Sequence, residues 1–387
     1  MILVKKANES TTLHLIKHFF HLCVMRIAIN ARLLLHDKLE GIGRHAYELI
    51  SRLILLHPEH EFILFYDRRQ DIIVPPGAQV RAVSLYPVSR HPLLLWYWTE
   101  ISLKKALIKY QADLYYSPEP ILPDNLLIPS IITIHDISPL VLPDALPWDH
   151  RFYYQYILKR NIRKATQLIT VSDFSKKEII NHYGVGSQKI EILSNAAGIN
   201  VRPSPLSIPP EYPYFISISS IHDRKNVDLI IKAFDLFKSK YKTNHQLVLA
   251  GRRMGKHDKF LHSLAQSPNK KDILETGYLS EEKKVQLLAF AAALINLSEY
   301  EGFGIQLVEA FQTGVPVIAA DRSCYPEITQ GAALLVNPTD SLAVAEAMST
   351  SLIDPGTMIQ KGLMRAKDFD WLVSAKKLSA LIHRSFS

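Results

Sequence analysis

The sequence predicts an α/β protein with two doubly wound domains, each built on a parallel sheet that helices cover. Three observations support this prediction. Short β-rich runs alternate with helix-length amphipathic segments, a proline-rich stretch interrupts the alternation near the middle of the chain, and the alternation then resumes. The length of 387 residues is also more than one ordinary domain needs and enough for two.

The first domain, residues 25–200, is expected to contain seven strands separated by helices. The predicted strands are 26–30, 61–66, 79–85, 112–117, 130–136, 167–172 and 189–194. The clearest helices are 44–56, 92–110 and 150–164. The helix at 92–110 combines an apolar stripe with three lysines, which fits either a membrane-facing surface or a helix packed on the sheet. We favour packing on the sheet, the commoner meaning of such a stripe.

The second domain, residues 214–370, follows a linker at 201–213 whose five prolines exclude a helix interior or a central strand. Its predicted strands are 214–219, 245–251, 272–277, 294–297, 316–320 and 334–336. A last helix is expected at 371–387. Ligands of doubly wound sheets bind beyond the carboxyl ends of the strands, so we expect the chemistry in the cleft between the domains.

Residues 1–24 are interpreted as an N-terminal extension. Their apolar stretch is shorter than the roughly 20 residues of a membrane-spanning helix, and Lys17 and three histidines interrupt it, which is not typical of a secretory signal. The extension either forms an amphipathic interfacial helix or precedes a natural start at Met25. We favour the second interpretation, because residues 25–30 have the composition of a first strand.

Composition and charge restrict the class of protein. With 48% hydrophobic and 21% charged residues, the chain is globular and not disordered. Two distant cysteines, Cys23 and Cys324, cannot form a disulfide framework, which favours a reducing, cytoplasmic compartment. The net charge of +8 suits an anionic partner such as nucleotide phosphates. We expect no nucleic-acid partner, since no such module is present, whereas peripheral contact with the inner face of the membrane stays open.

The strongest motif runs from Glu301 to Glu309 and predicts a helix start after a buried strand. Gly302 and Gly304 expose backbone amides there, and a helix N-terminus favours phosphate. The two glutamates lie eight residues apart, roughly 12 Å along a helix axis, so they could contact different parts of one ligand. The alternative is that Glu301 caps the helix and Glu309 lies on a solvated face.

Other candidate residues follow predicted strands. Arg224 and Lys225 come after the first strand of the second domain, where they could bind a diphosphate, or they lie in a solvated turn. His135-Asp136 ends a strand of the first domain, where the histidine could bind a sugar hydroxyl or the backbone.

Gly41 and Gly43 match a dinucleotide-binding fingerprint, which would indicate a nicotinamide cofactor. They come some ten residues after their strand, however, whereas the fingerprint turn follows its strand directly. A mobile loop that faces the cleft is the better interpretation. The D-x-D spacing of Asp368 and Asp370 suggests a metal site, but a helix cap fits their position better, and we expect no metal and no cofactor.

Taken in order, these motifs resemble the retaining nucleotide-sugar glycosyltransferases of family 4. That family has the GT-B fold, in which two Rossmann-like domains face each other across a cleft. The resemblance runs from about residue 25 to the C-terminus. Further shared features are 171–178, Tyr183-Gly184, Arg224-Lys225-Asn226, 277–280, 314–317, Pro326-Glu327 and Trp371.

The resemblance implies a role for each matched residue. Glu301 and His135 would contact the donor sugar, and Asp136, the next residue after His135, would belong to the same substrate-binding site. Glu309 would bind the ribose hydroxyls. The diphosphate would be held by Arg224, Lys225 and the amides of Phe303, Gly304 and Ile305. The loop of Gly41 and Gly43 would close over the phosphates, and the helix from Trp371 would cross back to the first domain.

The sequence also departs from the family pattern. Gln306 stands where the family usually has proline, and the run 194–198 replaces a more usual Asn-Gly turn. Ser219 or Ser220 occupies the place of an arginine that many members carry. This departure puts one phosphate contact in question, and with it donor affinity.

The implied function is transfer of a hexose from a nucleotide diphosphate sugar to an acceptor hydroxyl, with retention of anomeric configuration. By resemblance to mannosyltransferases, GDP-mannose is favoured as donor, with UDP-sugars close behind. The acceptor would be a glycan or lipid-linked intermediate, as in lipopolysaccharide synthesis. A sugar-nucleotide epimerase, a phosphorylase and a non-catalytic sugar-nucleotide-binding protein are the alternatives on the same scaffold.

Overall fold

The structure is a computed structural model that describes residues 24–36, 39, 41–141, 153–198 and 211–386. The predicted extension at 1–24 lies outside the described residues except for its last residue. Most of the predicted linker at 201–213, the first residues of the helix predicted at 150–164 and the last residue of the chain also lie outside them.

Seven parallel strands form the first sheet, in the order β3-β2-β1-β4-β5-β6-β7. They are β1 (Arg26–Asn30), β2 (Glu61–Tyr66), β3 (Val80–Ser84), β4 (Leu114–Ser117), β5 (Ser130–Thr133), β6 (Gln167–Thr170) and β7 (Ile190–Ile192). Each corresponds to a predicted strand with slightly different ends. Most are apolar throughout because helices cover both faces of a parallel sheet.

The helices of this domain alternate with the strands as the sequence predicts. They are α1 (Ile42–Leu56), α2 (Pro92–Tyr97), α3 (Lys104–Lys109), α4 (Ser138–Val141), α5 (Lys159–Lys164) and α6 (Asp173–Tyr183). A π-helical turn, Trp98–Leu103, joins α2 to α3, and another, Tyr153–Leu158, precedes α5. Trp98 is fully buried on the sheet, but Leu93 remains 71% exposed, so this helix packs on the sheet with part of its apolar stripe outside.

Six parallel strands form the second sheet, in the order β10-β9-β8-β11-β12-β13. They are β8 (Tyr214–Ile218), β9 (Gln246–Ala250), β10 (Ile273–Gly277), β11 (Ala293–Asn296), β12 (Val317–Ala320) and β13 (Leu334–Val336). The helices are α7 (Val227–Tyr241), α8 (Asp258–Gln266), α9 (Glu281–Ala289), α10 (Ile305–Gln312), α11 (Tyr325–Thr329), α12 (Ser341–Ile353), α13 (Pro355–Ala366) and α14 (Trp371–Phe386). Single 3-10 turns occupy Ser187–Lys189, Asp223–Lys225 and Lys270–Asp272.

The order of both sheets reverses at an internal strand pair, β1 with β4 and β8 with β11. A crevice opens beyond the carboxyl ends of the strands at such a reversal, and ligands of doubly wound proteins bind there. Apolar clusters fill both faces of each sheet. The predicted fold class, two parallel-sheet domains of the Rossmann type, is therefore confirmed.

The last helix, α14, belongs in sequence to the second domain but packs against α1 of the first. Its first residue, Trp371, is 4% exposed and lies in the same apolar cluster as Ile29 of β1. Among the described residues, no helix combines the length and apolar character that a bilayer crossing requires.

Polar contacts also join the two domains beside the cleft. The carboxylate of Glu327 accepts hydrogen bonds of 2.8 Å from the amides of Asp173 and Phe174, the first residues of α6. A carboxylate is favourable there because the N-terminus of a helix carries partial positive charge. The hydroxyl of Ser172 donates to the Gly302 carbonyl at 2.6 Å. These contacts link the start of α6 in the first domain to two segments of the second domain.

Candidate active site

A cavity of about 560 Å³ lies in the cleft, within the range of sites that bind small organic ligands. The first domain contributes Gly41 and Arg44, from the start of α1, and also Leu39. The second domain contributes the residues that follow β8, β9 and β10 and one side of α9 and α10. The cavity therefore lies where the topology predicts a ligand.

Two cations and one carboxylate meet at the carboxyl end of β8. Lys225 forms an ion pair with Glu301, and the Arg224 guanidinium lies 3.4 Å from the same carboxylate oxygen. Arg224 also donates to the Tyr300 carbonyl. Burial alone would raise the pKa of Glu301, but the charges of Lys225 and Arg224 outweigh burial and lower it. Glu301 is thus a buried anion beside Lys225, which itself lines the cavity.

The backbone amides predicted to bind phosphate lie just before and at the start of α10. Gly304 precedes that helix with a φ of 80°, and a β-carbon there would lie 2.5 Å from the ring of Tyr325. Only glycine fits both constraints. Helix α10 begins at Ile305, so Glu301 lies in the preceding loop and does not cap the helix. Phe303 is buried against Phe369, so a ligand could reach only its backbone.

Glu309 is 3% exposed, which excludes the alternative of a solvated helix face. Its carboxylate accepts a hydrogen bond of 2.7 Å from Lys284, a residue of α9, and both side chains line the cavity. Burial raises the pKa of Glu309 more than Lys284 lowers it. Burial lowers the pKa of Lys284, but Glu309 and Glu281 outweigh that effect and raise it. The result is a buried ion pair in the wall of the cleft.

His135 and Asp136 follow β5, directly opposite the loop of Gly302. His135 Nε2 lies 2.9 Å from the Pro118 carbonyl oxygen, and since a carbonyl only accepts, Nε2 carries the proton. Burial lowers the pKa of His135, so the ring is neutral and Nδ1 is left as an acceptor. Asp136 Oδ1 accepts from both the amide and the hydroxyl of Ser138, which makes this carboxylate a local turn cap.

Gly41 and Gly43 lie at the start of α1 and not in a loop that follows β1 directly. Gly41 precedes the helix with a φ of 47°, and Gly43 is buried within the first turn. The next residue, Arg44, reaches across the cleft to the Glu281 carboxylate at 3.3 Å. The glycine pair therefore brings an arginine to the cavity, a contact between domains that the motif alone does not reveal.

The sequence alone did not assign a binding role to Arg44, Arg252, Tyr278 or Lys284, all of which line the cavity. Position after a strand could have identified one of them, Arg252. Arg252 follows β9, so the rule of strand carboxyl ends that selected Arg224 also applies to it; its guanidinium lies over the Tyr278 ring at 4.5 Å. Lys284 carried no distinct signal, Tyr278 was noted only as part of the shared run 277–280, and Arg44 only as the first residue of a predicted helix. Ser219, Ser220 and Gln306, the departures from the family pattern, line the cavity as well.

Two other sequence-based interpretations concern residues outside the cleft. Asp370 Oδ1 accepts from the amide of Leu372 at the start of α14. Asp368 pairs with Arg365. The D-x-D spacing thus reflects a helix cap and a surface ion pair.

Comparison with known proteins gives consistent matches along the chain. Residues 39–200 match the family described as Glycosyltransferase Family 4, and residues 201–363 match Glycosyl transferases group 1. The chain is 30% identical over 359 residues to the O-antigen chain mannosyltransferase B of Escherichia coli, a match covering 86% of this chain and 93% of that protein. It is 29% identical over 213 residues to the O-antigen chain mannosyltransferase RfbU of Salmonella typhimurium, covering 54% and 57% respectively.

A solved structure shows the same architecture. The sucrose-phosphate synthase of Thermosynechococcus elongatus superposes with a TM-score of 0.76 at 18% identity, covering 94% of this chain and 99% of that one. At that identity the likeness concerns the fold alone, and the fold is GT-B, as the resemblance implies. The match to the Escherichia coli protein, with the two adjoining family matches, shows the family: the chain is a glycosyltransferase and belongs to glycosyltransferase family 4.

Proposed function

We propose that the protein transfers a hexose, with mannose favoured, from a nucleotide diphosphate sugar to an acceptor hydroxyl with retention of configuration. The observation that carries this proposal is that Lys225 and the start of α10 line one edge of the cavity, and Arg224 lies beside Lys225 at the same Glu301 carboxylate. Each of these elements favours a bound diphosphate. Mannose is the favoured sugar because two relatives are named mannosyltransferases, and GDP-mannose is the donor that the resemblance to mannosyltransferases favours.

The chemical step separates a sugar with oxocarbenium character from a diphosphate on which negative charge grows. Lys225 and Arg224 stabilise that charge where it develops, and the amides at Phe303–Ile305 add donors at the same edge. Removing one well-placed donor of this type typically costs about 100-fold in rate. Fixed positive charge is thus the main contribution of this chain to the reaction.

Glu301 has a different task. In the free protein its carboxylate neutralises Lys225 and Arg224, and this offsets the repulsion between the buried lysine and the partly buried arginine. When the diphosphate binds, the cations are shared with phosphate, and Glu301 becomes available to orient hydroxyls of the sugar. The neutral His135, with Nδ1 as acceptor, contributes a second orienting group from the opposite domain.

Retention is expected to follow a front-face route. A double displacement needs two carboxylates about 5 Å apart on either side of the anomeric carbon. Glu301 and Glu309 are instead each paired with their own lysine, Lys225 and Lys284. The acceptor hydroxyl then attacks from the side of the leaving group, and the departing phosphate oxygen takes its proton.

The acceptor is proposed to be a saccharide on a lipid carrier or lipopolysaccharide intermediate. Both curated relatives carry O-antigen in their names. The net charge of +8 favours approach to anionic membranes. Exposed apolar side chains at Leu93, Trp96 and Tyr97 give the first domain a surface suited to peripheral contact.

A panel of sugar nucleotides tests the proposal. GDP-mannose is expected to raise the melting temperature most, because at equal concentration the ligand with the lowest Kd stabilises the native state most. A ligand at 100 times its Kd stabilises it by about 2.7 kcal/mol. Incubation with GDP-mannose and a lipid-linked saccharide should then release GDP and form an α-linked product, identified by NMR. No shift with any sugar nucleotide would contradict the proposal. Isomerisation of the donor without acceptor, or consumption of inorganic phosphate, would favour the epimerase or the phosphorylase.

A further inference from the structure

Three histidines come together on the side of the first domain that faces away from the cleft. His57 directly follows α1, His60 precedes β2, and His383 lies near the end of α14. One nitrogen from each ring can be chosen so that all three lie within 4.8 Å of one another. The cleft is roughly 22 Å away, the length of the 15-residue helix α1 that separates it from His57.

His60 is the most unusual member of this group, which we call the His57/His60/His383 cluster. Its side chain is buried, with the residue 3% exposed, and within the described part of the chain neither ring nitrogen has a hydrogen-bond partner. The nearest carboxylate oxygen, on Glu59, lies 3.8 Å from Nε2, too far for a hydrogen bond. A buried polar group without a partner destabilises the folded state, so a ligand that binds a nitrogen of this ring would relieve that cost.

Of the other two histidines, His57 is held in a fixed orientation and His383 is accessible from solvent. His57 is fixed through both nitrogens, with Nδ1 at 2.9 Å from Glu59 and Nε2 at 2.6 Å from the Ser379 hydroxyl. It stacks on His60 with ring centroids 5.2 Å apart. His383 is exposed, and its ring centroid also lies 5.2 Å from the ring centroid of His57. An ion could therefore reach the cluster from solvent, and Glu59 offers negative charge beside it.

We propose that His57, His60 and His383 bind a divalent transition metal ion of the zinc class, which ties α14 to the first domain. Neutral imidazole is a preferred ligand of zinc, nickel and copper. Zinc–nitrogen bonds of about 2.0–2.1 Å in a tetrahedral site place the ligand nitrogens roughly 3.3 Å apart. The His57 and His60 rings are nearly parallel, with an angle of 7° between their planes, so one ring must tilt before both planes can contain the ion. His57 would exchange one of its two hydrogen bonds for the metal.

The bound ion would stabilise a contact between distant parts of the chain. His60 and His383 are separated by more than 300 residues, and α14 comes from beyond the second domain. Because only the native fold assembles the three ligands, metal binding would favour the docked position of α14. The site is separate from the proposed catalysis, and its ligands include no residue of the cleft.

Calorimetric titration of zinc chloride into the full chain tests this proposal. The protein carries no affinity tag, is stripped with a chelator and is kept in phosphate-free buffer. One ion per chain is expected, with micromolar or tighter affinity, and His60→Ala and His383→Ala should each weaken binding by about tenfold or more. His262→Ala is the matched control, since it removes an exposed histidine of α8 and should leave binding unchanged.

Two results would overturn the proposal: no saturable binding by the parent protein, or equal affinity in the His383→Ala and His262→Ala variants. His383 is exposed, so its variant keeps the test decisive even if His60→Ala does not fold. Zinc is also expected to slow amide hydrogen exchange in α14 of the parent protein and not of His383→Ala. Equal exchange in α14 with and without zinc would contradict the role of the ion in docking this helix.

Discussion

Gly302 of the second domain lies against the backbone of His135 in the first, and a β-carbon on Gly302 would be 2.3 Å from the His135 carbonyl oxygen. The same two residues accept hydrogen bonds from Ser175, at 3.4 Å and 3.1 Å respectively. The motif glycine is therefore needed for the close approach of two domains as well as for exposed amides. This contact fixes the distance between the Glu301 loop and the His135 side chain.

The Gly302→Ala variant is expected to lose activity because its methyl group pushes the two domains apart. Overpacking of this kind costs about 1–3 kcal/mol of unfolding free energy, and a misplacement of about 1 Å can lower the rate by about 100-fold. Urea denaturation and transfer assays measure the two effects. Gly356→Ala is the control, because the nearest described atom to a β-carbon there, an Asp354 carboxylate oxygen, is at an ordinary contact distance of 3.7 Å. Equal activity in both variants would contradict this account of Gly302.

Lys284→Met is expected to destabilise the protein because it leaves the Glu309 carboxylate buried without its partner. Breaking a buried ion pair typically costs about 3–5 kcal/mol, which urea denaturation would show. Lys283→Met, at an exposed position of the same helix, should change little. The double variant Lys284→Met/Glu309→Leu should recover much of the loss, since no charge remains buried. If Lys284→Met lowers the unfolding free energy no more than Lys283→Met does, the ion pair of Lys284 and Glu309 is not buried in solution.

Stability is expected to fall on acidification through His45, a buried residue of α1. Burial, followed by the electrostatic effect of having His135 as a neighbour, lowers the pKa of His45 from 6.5 to about 3. Between these values the unfolded chain takes up a proton that the native state does not. The unfolding free energy should therefore fall as the pH decreases through this window, by about 1.4 kcal/mol per pH unit from this group.

The His45→Gln variant removes this titration while keeping a polar group beside Asn195, which lies 2.7 Å from His45 Nδ1. Urea denaturation at several values between about pH 7 and pH 5 should give a shallower decline for His45→Gln than for the parent protein. His262→Gln, at an exposed histidine, should follow the parent. Parallel curves for all three proteins would show that His45 takes up its proton equally well in the folded and unfolded states.

Much of the fold could be predicted from the sequence because strands buried on both faces have a distinct composition. The thirteen strands of the two sheets all correspond to predicted runs. The position of the cleft followed from the same pattern, since Lys225 and His135 lie in the segments that follow β8 and β5. The cap at Asp370 was also recognisable, because a polar residue before an apolar helix is a local signal.

The remaining features depend on contacts between distant segments. Lys284 follows Glu281, Glu282 and Lys283, a run of charges that looks like a solvated helix face. It is instead partly buried in the wall of the cleft, where its side chain donates a hydrogen bond to Glu309 of α10. The His57/His60/His383 cluster is likewise invisible in the sequence, because α14 must return to the first domain before the three rings meet.

The single-turnover rate of sugar transfer in Lys225→Ala tests the central claim most directly. Lys232→Ala, which removes an exposed lysine of α7, is the matched control, and melting temperatures verify that both variants fold. If fixed positive charge stabilises the departing diphosphate, Lys225→Ala should be slower by about 100-fold or more at saturating donor, while Lys232→Ala keeps the parent rate. Equal rates in the two folded variants would contradict the claim that Lys225 stabilises the leaving group.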